Sequence, residues 1–367
     1  MQTLILGLDA FDATVFERLS AAGRLPNLTK YTESGRYSRF TVTDPPQSEV
    51  SWTSIATGLD PGGHGVFDFV LRDLDGADPY RPVNGMVERQ PPVVGPLGVP
   101  VRPPGAENLR GGEGFWEPVA RAGYRVSVLR MPLTFPPRLP RGGELLCGLG
   151  VPDLRATNGS YTLFAAGRDT HDGHTEFGGR HVKIYPRDGV AEAPLEGPPD
   201  PRAPLSGRRL AVPLRFTFTG ETAAVTVDDG PAVGLEPGLF SRWVEVAFTA
   251  GPLIRVEGLV RFLLLETGSE PRIYASPIQI SPYAPPIPIS APPSFSRRLA
   301  ERLGPMRTSG WPEDTFAGND RVLTARKDRN LTAESGKQCK ADLHAWDERQ
   351  GHQGGASPNR RCRRRLP

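Results

Sequence analysis

Two oxygen-bearing side chains in the first fifty residues, Asp9 and Ser48, have positions suited to metal binding and nucleophilic attack. Asp9 ends the apolar run 3–9, and in open α/β sheets binding sites form beyond the carboxyl ends of strands. Ser48 comes just before a predicted helix, whose N-terminal N–H groups favour a phosphate. A metal ion such as Zn²⁺ would activate the weakly nucleophilic hydroxyl and polarise a phosphoryl oxygen. The structural alternative is that Ser48 is a helix N-cap and that Asp9 caps a turn.

The elements predicted around these residues alternate between strands and helices. A continuous apolar run such as 3–9 is typical of a strand buried on both faces of a parallel sheet. Apolar residues at helical spacing predict a helix over 13–23, which Gly23 can end. The same reasoning predicts further strands over 38–43, 125–130 and 144–147 and further helices over 51–57 and 115–122. This order predicts an α/β domain with a mostly parallel sheet.

The pattern changes after about residue 165. Residues 208–280 contain several runs typical of strands, separated by turn signals, and no convincing helix. Helical character returns at 296–303, after a proline-rich connection. We therefore predict four regions: the N-terminal half of the α/β domain over 1–165, a β-rich insertion over 166–285, a return to the α/β domain over 286–326, and a tail over 327–367.

The predicted tail differs from the rest of the chain in composition. Residues 327–367 contain ten Lys/Arg and five Asp/Glu, and they hold three of the five lysines of the chain. Hydrophobic periodicity is absent there, and the chain ends in the arginine-rich segment 360–365. A shifted reading frame from residues 320–330 onward and an ordinary disordered tail both account for this composition.

Composition narrows the class of protein. The 42 glycines and 40 prolines among 367 residues argue against long helical bundles. No apolar stretch reaches the ~20 residues of a membrane span, and the N-terminus lacks a basic signal-peptide region. The three cysteines form neither a disulfide framework nor a metal-binding spacing, so we expect a cytoplasmic protein. Apart from the tail the charge is near neutral, and we expect no nucleic-acid partner.

Several motifs together resemble the type I phosphodiesterase/nucleotide pyrophosphatase branch of the alkaline phosphatase superfamily. They are Gly7–Ala10, Gly23–Leu28, Trp52–Phe69, Phe115–Trp116, Met131–Pro137 and Gly148–Leu154, with a weaker resemblance to about residue 320. The resemblance implies a partial alkaline-phosphatase-like sandwich. It also implies metal-dependent hydrolysis of a small phosphorylated substrate, with two metal ions, expected to be Zn²⁺.

The resemblance assigns roles to three residues. The family nucleophile stands ten residues before the glycine of a Thr-Gly pair, and counting back from Gly58 gives Ser48, which is also a metal ligand in the family. Asp9 matches the first metal-ligand aspartate. Ser51 matches a position where relatives often have a phosphate-binding Asn. His64 belongs to the same pattern, and we expect it to order the loop near the site.

Other ligands of the family pattern are missing from this sequence. The family has further Asp and His ligands in its C-terminal half, including an Asp-His-Gly motif, and no Asp-His pair occurs anywhere in this chain. The histidine-rich segment 169–174 together with His181 is better explained as a solvated loop than as a metal site. We therefore expect a truncated hydrolase with an incomplete metal site. The alternative is a non-catalytic binding or scaffold protein that uses the β-rich insertion; the sequence leaves the oligomeric state open.

Overall fold

A computed structural model of the chain has a mixed α/β architecture with several sheets and few helices. It describes residues 3–72, 80–82, 84–87, 93–94, 99–100, 105–140, 142–168, 170–203, 206–252, 254–310 and 315–323. The helices are α1 (Ala13–Ala21), α2 (Pro26–Ser34), α3 (Ser48–Thr57), α4 (Pro61–His64), α5 (Trp116–Arg121), α6 (Ser294–Leu303) and α7 (Thr315–Asn319).

Short strands precede α5 and longer ones follow it. The first group is β1 (Val70–Arg72), β2 (Tyr80–Pro82), β3 (Asn84–Val87), β4 (Val93–Val94), β5 (Val99–Pro100) and β6 (Gly105–Asn108). The second group begins with β7 (Val126–Met131), β8 (Gly143–Cys147), β9 (Thr162–Ala165), β10 (Gly173–His174), β11 (Arg180–Lys183), β12 (Val190–Pro199) and β13 (Arg209–Thr219). It continues with β14 (Thr222–Val227), β15 (Val233–Leu235), β16 (Val244–Thr249), β17 (Arg255–Val260), β18 (Phe262–Glu266), β19 (Arg272–Ala275), β20 (Gln279–Ile280) and β21 (Ser290–Ala291).

The chain divides into two compact units. The first unit comes from Met1–Val83 and Leu109–Phe115, and the second from Asn84–Asn108 and Trp116–Pro367. The boundaries predicted at residues 165, 285 and 326 stay predictions. No helix among the described residues is long and apolar enough to cross a membrane.

Helices α1 to α4 form the regular part of the first unit, together with the β1–β2 pair. The predicted strands over 3–9 and 38–43 are wrong, because neither segment is paired in a sheet. Their apolar side chains are exposed, with 67% of Ile5 and 80% of Phe40 accessible to solvent. A strand that is apolar on both faces needs neighbours on each edge and face, and these two segments have no strand neighbours.

The sheets of the second unit are mixed or antiparallel, so the predicted mostly parallel sheet is not confirmed. The larger sheets have the strand orders β10-β11-β9-β19-β18, β12-β13-β14-β15, β16-β17-β20 and β21-β8-β7. Among the named strands in the described residues, only β7–β8 and β9–β11 pair in parallel. In the described residues no helix lies between the two strands of either parallel pair, so neither pair forms a βαβ unit.

The main core of the second unit lies between these sheets. Strand β13 buries every second side chain: Leu210, Val212, Leu214 and Phe216 are 5% exposed or less, and the residues between them are exposed. This alternation is the period-two pattern of a strand with one buried face. The Phe216 ring lies 5.0 Å from the ring of Phe164 on β9, which joins two sheets through one aromatic contact.

The last described segment packs firmly on the second unit. Asp320, just after α7, accepts hydrogen bonds from the hydroxyls of Tyr161 (2.6 Å) and Thr175 (2.7 Å). Val322 and Leu323 are 4% and 3% exposed. Packing against the core of the second unit therefore extends to Leu323, the last residue of the described segment. The predicted tail 327–367 lies outside the described residues.

Candidate functional site

The first unit brings Asp9 and Ser48 together across 39 residues of sequence. The Ser48 hydroxyl lies 3.1 and 3.2 Å from the two carboxylate oxygens of Asp9 and donates to them. Ser48 is the first residue of α3, and Asp9 lies in the irregular segment that precedes α1. The structure thus places two of the predicted site residues in direct contact, at an exposed position.

Trp52 makes a second contact with the same carboxylate. Its indole N–H donates a 2.8 Å hydrogen bond to Asp9 Oδ1. The indole ring also covers Gly7 so closely that a Cβ on Gly7 would lie 2.4 Å from a ring carbon. The Gly7–Asp9 segment is therefore held against α3 by ring packing and by two donors on successive turns of the helix.

The N-terminus of α3 is open to a ligand on its Gln47 side. Gln47 occupies the N-cap position and makes no side-chain capping bond. The third predicted site residue, Ser51, lies one turn further, with its Oγ 2.8 Å from Thr43 Oγ1. Thr43 uses its own hydroxyl hydrogen to reach the Pro45 carbonyl, so Ser51 is the donor between the two hydroxyls. A phosphate-binding role for Ser51 stays a prediction.

Glu49 is buried directly after Ser48. Only 2% of it is exposed, and its Oε2 atom accepts no hydrogen bond within the described part of the chain. Burial raises the pKa of Glu49 to about 7, and the negative charges of Asp9 and Asp68 act in the same direction. Neutral glutamic acid and carboxylate forms therefore both exist near neutral pH beside the Asp9–Ser48 contact.

His64 orders the loop that follows α3. Its Nδ1 accepts from the backbone N–H of Val66 at 3.1 Å, and its Nε2 lies 2.9 Å from Ser54 Oγ. Because Nδ1 is an acceptor, the proton is on Nε2 and Ser54 accepts it. Burial lowers the pKa of His64, which keeps the imidazole in this neutral form. These contacts use both ring nitrogens.

The described residues do not fit the two-metal site that the resemblance implies. Asp9 and Ser48 offer oxygens that one cation could share, but catalytic Zn²⁺ has three or more protein ligands. No group of three or more His, Cys, Asp or Glu side chains in the described ranges could hold a metal ion. The metal site inferred from the sequence is therefore represented here by two ligands.

The histidines of the predicted solvated loop belong to the second unit. His171 and His174 are exposed, whereas His181 Nε2 lies 3.2 Å from the Tyr161 hydroxyl. Burial lowers the pKa of His181. Asp169, which starts this segment in the sequence, lies outside the described residues.

Sequence reasoning missed Trp52 and Glu49 as parts of the site. A signal for Trp52 was present, because residues four apart on a helix share one face and Ser48 and Trp52 have this spacing. Glu49 gave no such signal, because a charged residue at a helix start is ordinarily solvated.

Comparison with known proteins agrees with the resemblance found in the sequence. A family model described as "Type I phosphodiesterase / nucleotide pyrophosphatase" matches residues 3–174. No curated protein and no solved structure matches the chain. The matched range contains Asp9, Ser48 and Ser51. Residues 3–174, slightly less than half of the chain, are therefore similar to the type I phosphodiesterase/nucleotide pyrophosphatase family.

Proposed function

We propose that this chain carries the nucleophile of a phosphate ester hydrolase, Ser48, with only part of the divalent metal site, and that it hydrolyses phosphate esters slowly or not at all. The observation that carries this proposal is the contact between Ser48 and Asp9. Both residues lie within the family match, and the resemblance of the sequence motifs assigns them the roles of nucleophile and first metal ligand.

The proposed reaction has two steps. Ser48 Oγ attacks phosphorus and loses its proton, while the bond from phosphorus to the ester oxygen breaks. The ester oxygen takes up a proton and leaves as an alcohol, and Ser48 is phosphorylated. Water then attacks this phosphorus, one hydrogen of the water passes to Ser48 Oγ, and the phosphate is released. Asp9 accepts the hydrogen bond of the attacking hydroxyl and orients it, and the N-terminal amides of α3 favour the phosphate.

The expected weakness follows from the same geometry. A serine hydroxyl is a weak nucleophile until a base or a metal ion activates it. A two-metal site would also stabilise the attacking and leaving oxygens. No group of three or more His, Cys, Asp or Glu side chains in the described residues could hold a metal ion, so we expect neither effect to be supplied in full. Zn²⁺ as the family metal and a cytoplasmic location remain parts of the proposal.

The test is hydrolysis of bis-p-nitrophenyl phosphate by the whole chain with Zn²⁺ or Mn²⁺. We expect turnover far below the ~1–10³ s⁻¹ of typical enzymes, and we expect any residual turnover to disappear in Ser48→Ala. Ser34→Ala is the matched control, because Ser34 ends α2 and bonds only to backbone carbonyls of that helix. Turnover at ordinary enzyme rates would contradict the incomplete metal site. Slow turnover that survives Ser48→Ala would remove Ser48 from the reaction.

A second candidate function is ligand binding without catalysis. An open cleft of about 520 Å³ lies within the predicted β-rich insertion, which is in the size range of small-molecule sites. Its lining includes Glu236, Phe240 and Arg242, and thus offers an acidic, an aromatic and a basic side chain. Saturable binding of a sugar or a nucleotide that Phe240→Ala abolishes would favour this function, provided that the metal-supplemented chain shows no hydrolysis.

A further inference from the structure

Two arginine side chains of the second unit converge on one carboxylate, and a third arginine binds the neighbouring backbone. Arg155 precedes β9, Arg180 begins β11, Arg209 begins β13, and Glu196 lies on β12. Arg155 Nη2 and Arg180 Nε each lie 3.7 Å from a different oxygen of Glu196. Arg209 Nη1 donates to the backbone carbonyls of Arg155 and Gly197 at 3.2 and 3.1 Å, so the third guanidinium lies beside the backbone of both residues. We call these four residues the arginine cluster.

Arg155 is buried with its hydrogen-bonding capacity almost unused. Only 2% of its side chain is exposed. Its Nε makes no hydrogen bond, and its Nη1 reaches Thr162 Oγ1 at only 3.5 Å. The 3.7 Å separation from Glu196 exceeds the usual 2.7–2.9 Å of a charged hydrogen bond. A buried cation without good acceptors costs several kcal/mol, so this position calls for a partner that the protein itself does not supply.

The nearby carboxylates do not supply it. Asp153, just before Arg155, accepts from the backbone N–H groups of Arg155, Thr157 and Ser160 and from the Thr157 hydroxyl. Its oxygens are therefore occupied by its own turn. Asp172 pairs with Arg180 at 3.1 Å, but 58% of the Asp172 side chain is exposed, so this pair lies on the solvent side.

Glu196 is the movable member of the cluster. Its side chain is 31% exposed, and in the described residues neither of its oxygens accepts a hydrogen bond of normal length. It lies next to an irregularity in the β12–β13 pairing, between Glu196 and Pro199. Rotation of Glu196 toward solvent would break no hydrogen bond of normal length and would leave Arg155 and Arg180 without the carboxylate that lies between them.

We propose that the arginine cluster binds a tetrahedral oxyanion, inorganic phosphate or the phosphate of a monoester, in the place that the Glu196 carboxylate occupies. Guanidinium groups present paired N–H donors that match the oxygens of phosphate, and Arg155 is held ready by burial. The site lies within the second unit and does not include Ser48. The proposal of anion binding is therefore tested separately from the proposed hydrolysis.

The experiment measures phosphate binding by isothermal titration calorimetry in the Ser48→Ala chain, with EDTA and at constant ionic strength. Removing Ser48 and free metal ions weakens phosphate binding at the candidate catalytic site, and any binding that remains there does not respond to variants of the arginine cluster. A titration with sodium chloride at the same ionic strength measures the effect of charge screening alone. Inorganic phosphate and p-nitrophenyl phosphate are compared, because binding of the ion alone indicates an enclosed site and binding of both indicates a monoester site.

Two pairs of variants test the assignment. Glu196→Gln removes the competing charge, and we expect phosphate to bind about tenfold more tightly, or ~1.4 kcal/mol. Its matched control is Glu192→Gln on the same strand, where Glu192 pairs with Arg215 at the exposed surface. Arg180→Met should weaken binding at least about tenfold, while Arg215→Met should leave it unchanged.

Phosphate that acts no differently from chloride would overturn the proposal. Equal phosphate affinity in the parent chain and in Glu196→Gln would overturn it as well. This second comparison does not depend on Arg180→Met, because Glu196→Gln removes no hydrogen bond of normal length and we expect it to fold. Circular dichroism of each variant checks that assumption.

Discussion

The two units differ in how their apolar residues are buried. In the second unit, β13 alternates buried and exposed side chains, and Phe216 is completely inaccessible. In the first unit, the run 3–8 is as apolar as any strand of the protein, yet Leu4, Ile5, Leu6 and Leu8 are 45–67% exposed. A strand with alternating apolar residues buries all of them when one of its faces packs against the core. A continuous apolar run is buried only when other elements pack against both of its faces.

The candidate catalytic site and the arginine cluster also differ in the contacts that position their side chains. Asp9 follows the exposed run and is held by two donors from α3, Ser48 and Trp52. The arginine cluster, by contrast, is held by three strands of the second unit and by the turn that contains Arg155. Local contacts of one helix therefore position the candidate nucleophile, and long-range sheet pairing positions the candidate anion site.

The largest expected effect tests the difference in burial between aromatic residues of the two units. Phe164→Ala removes a fully buried ring that contacts Phe216, and we expect it to lower the free energy of unfolding by about 3–5 kcal/mol. Phe40→Ala makes the same change at a position that is 80% exposed, and we expect a change within about 0.5 kcal/mol. Urea denaturation followed by circular dichroism measures both. Similar losses in the two variants would show that residue 40 is buried in solution.

Much of the second unit could be predicted from local patterns. The alternation in residues 214–218 and 223–227 predicted strands that the structure contains in β13 and β14, and the helical spacing of 296–303 predicted α6. Parallel or antiparallel pairing could not be predicted in this way, because β9 pairs with β19 from more than a hundred residues away. The run 3–9 was predicted as a strand because its composition is that of one, but pairing depends on partners.

The site shows the same limit. The family motif pointed to Asp9 and Ser48, and the structure brings them into contact. The burial of Glu49 and the convergence of Arg155 on Glu196 depend on contacts between segments that no spacing in the sequence relates.

The second expected effect concerns Glu49 and the pH dependence of stability. Its pKa is raised from 4.5 to about 7, so the unfolded chain loses this proton at lower pH than the folded chain. The stabilisation is therefore fully present below about pH 4.5 and is lost as the pH rises toward 7, by about 3 kcal/mol in total. The measurement is the denaturation midpoint of the parent and of Glu49→Gln between about pH 4 and about pH 8. Glu49→Gln keeps a neutral side chain and lacks this titration.

His64 contributes with the opposite sign. Burial lowers its pKa below 6.5, so its stabilising contribution is present above that pH and is lost as the pH falls. Because Glu49→Gln leaves His64 in place, the difference between the two pH profiles isolates Glu49. Identical profiles for the parent and Glu49→Gln would contradict a buried, protonated Glu49.

The smallest expected effect tests the local side of the comparison, through the cap of α1. Asp12 is the N-cap residue, and its carboxylate accepts from the Val15 N–H at 2.7 Å. Asp12→Ala removes this acceptor and should cost about 1 kcal/mol of unfolding free energy. Asp12→Asn is the matched control, because Asn caps helices about as well as Asp and should leave stability nearly unchanged.

If the first unit is held by such local contacts, Asp12→Ala should also shift the denaturation midpoint of that unit while leaving the second unit unaffected. Limited proteolysis with identification of the cleaved segments separates the two, and equal protection of residues 13–34 in Asp12→Ala and Asp12→Asn would contradict the role of the cap.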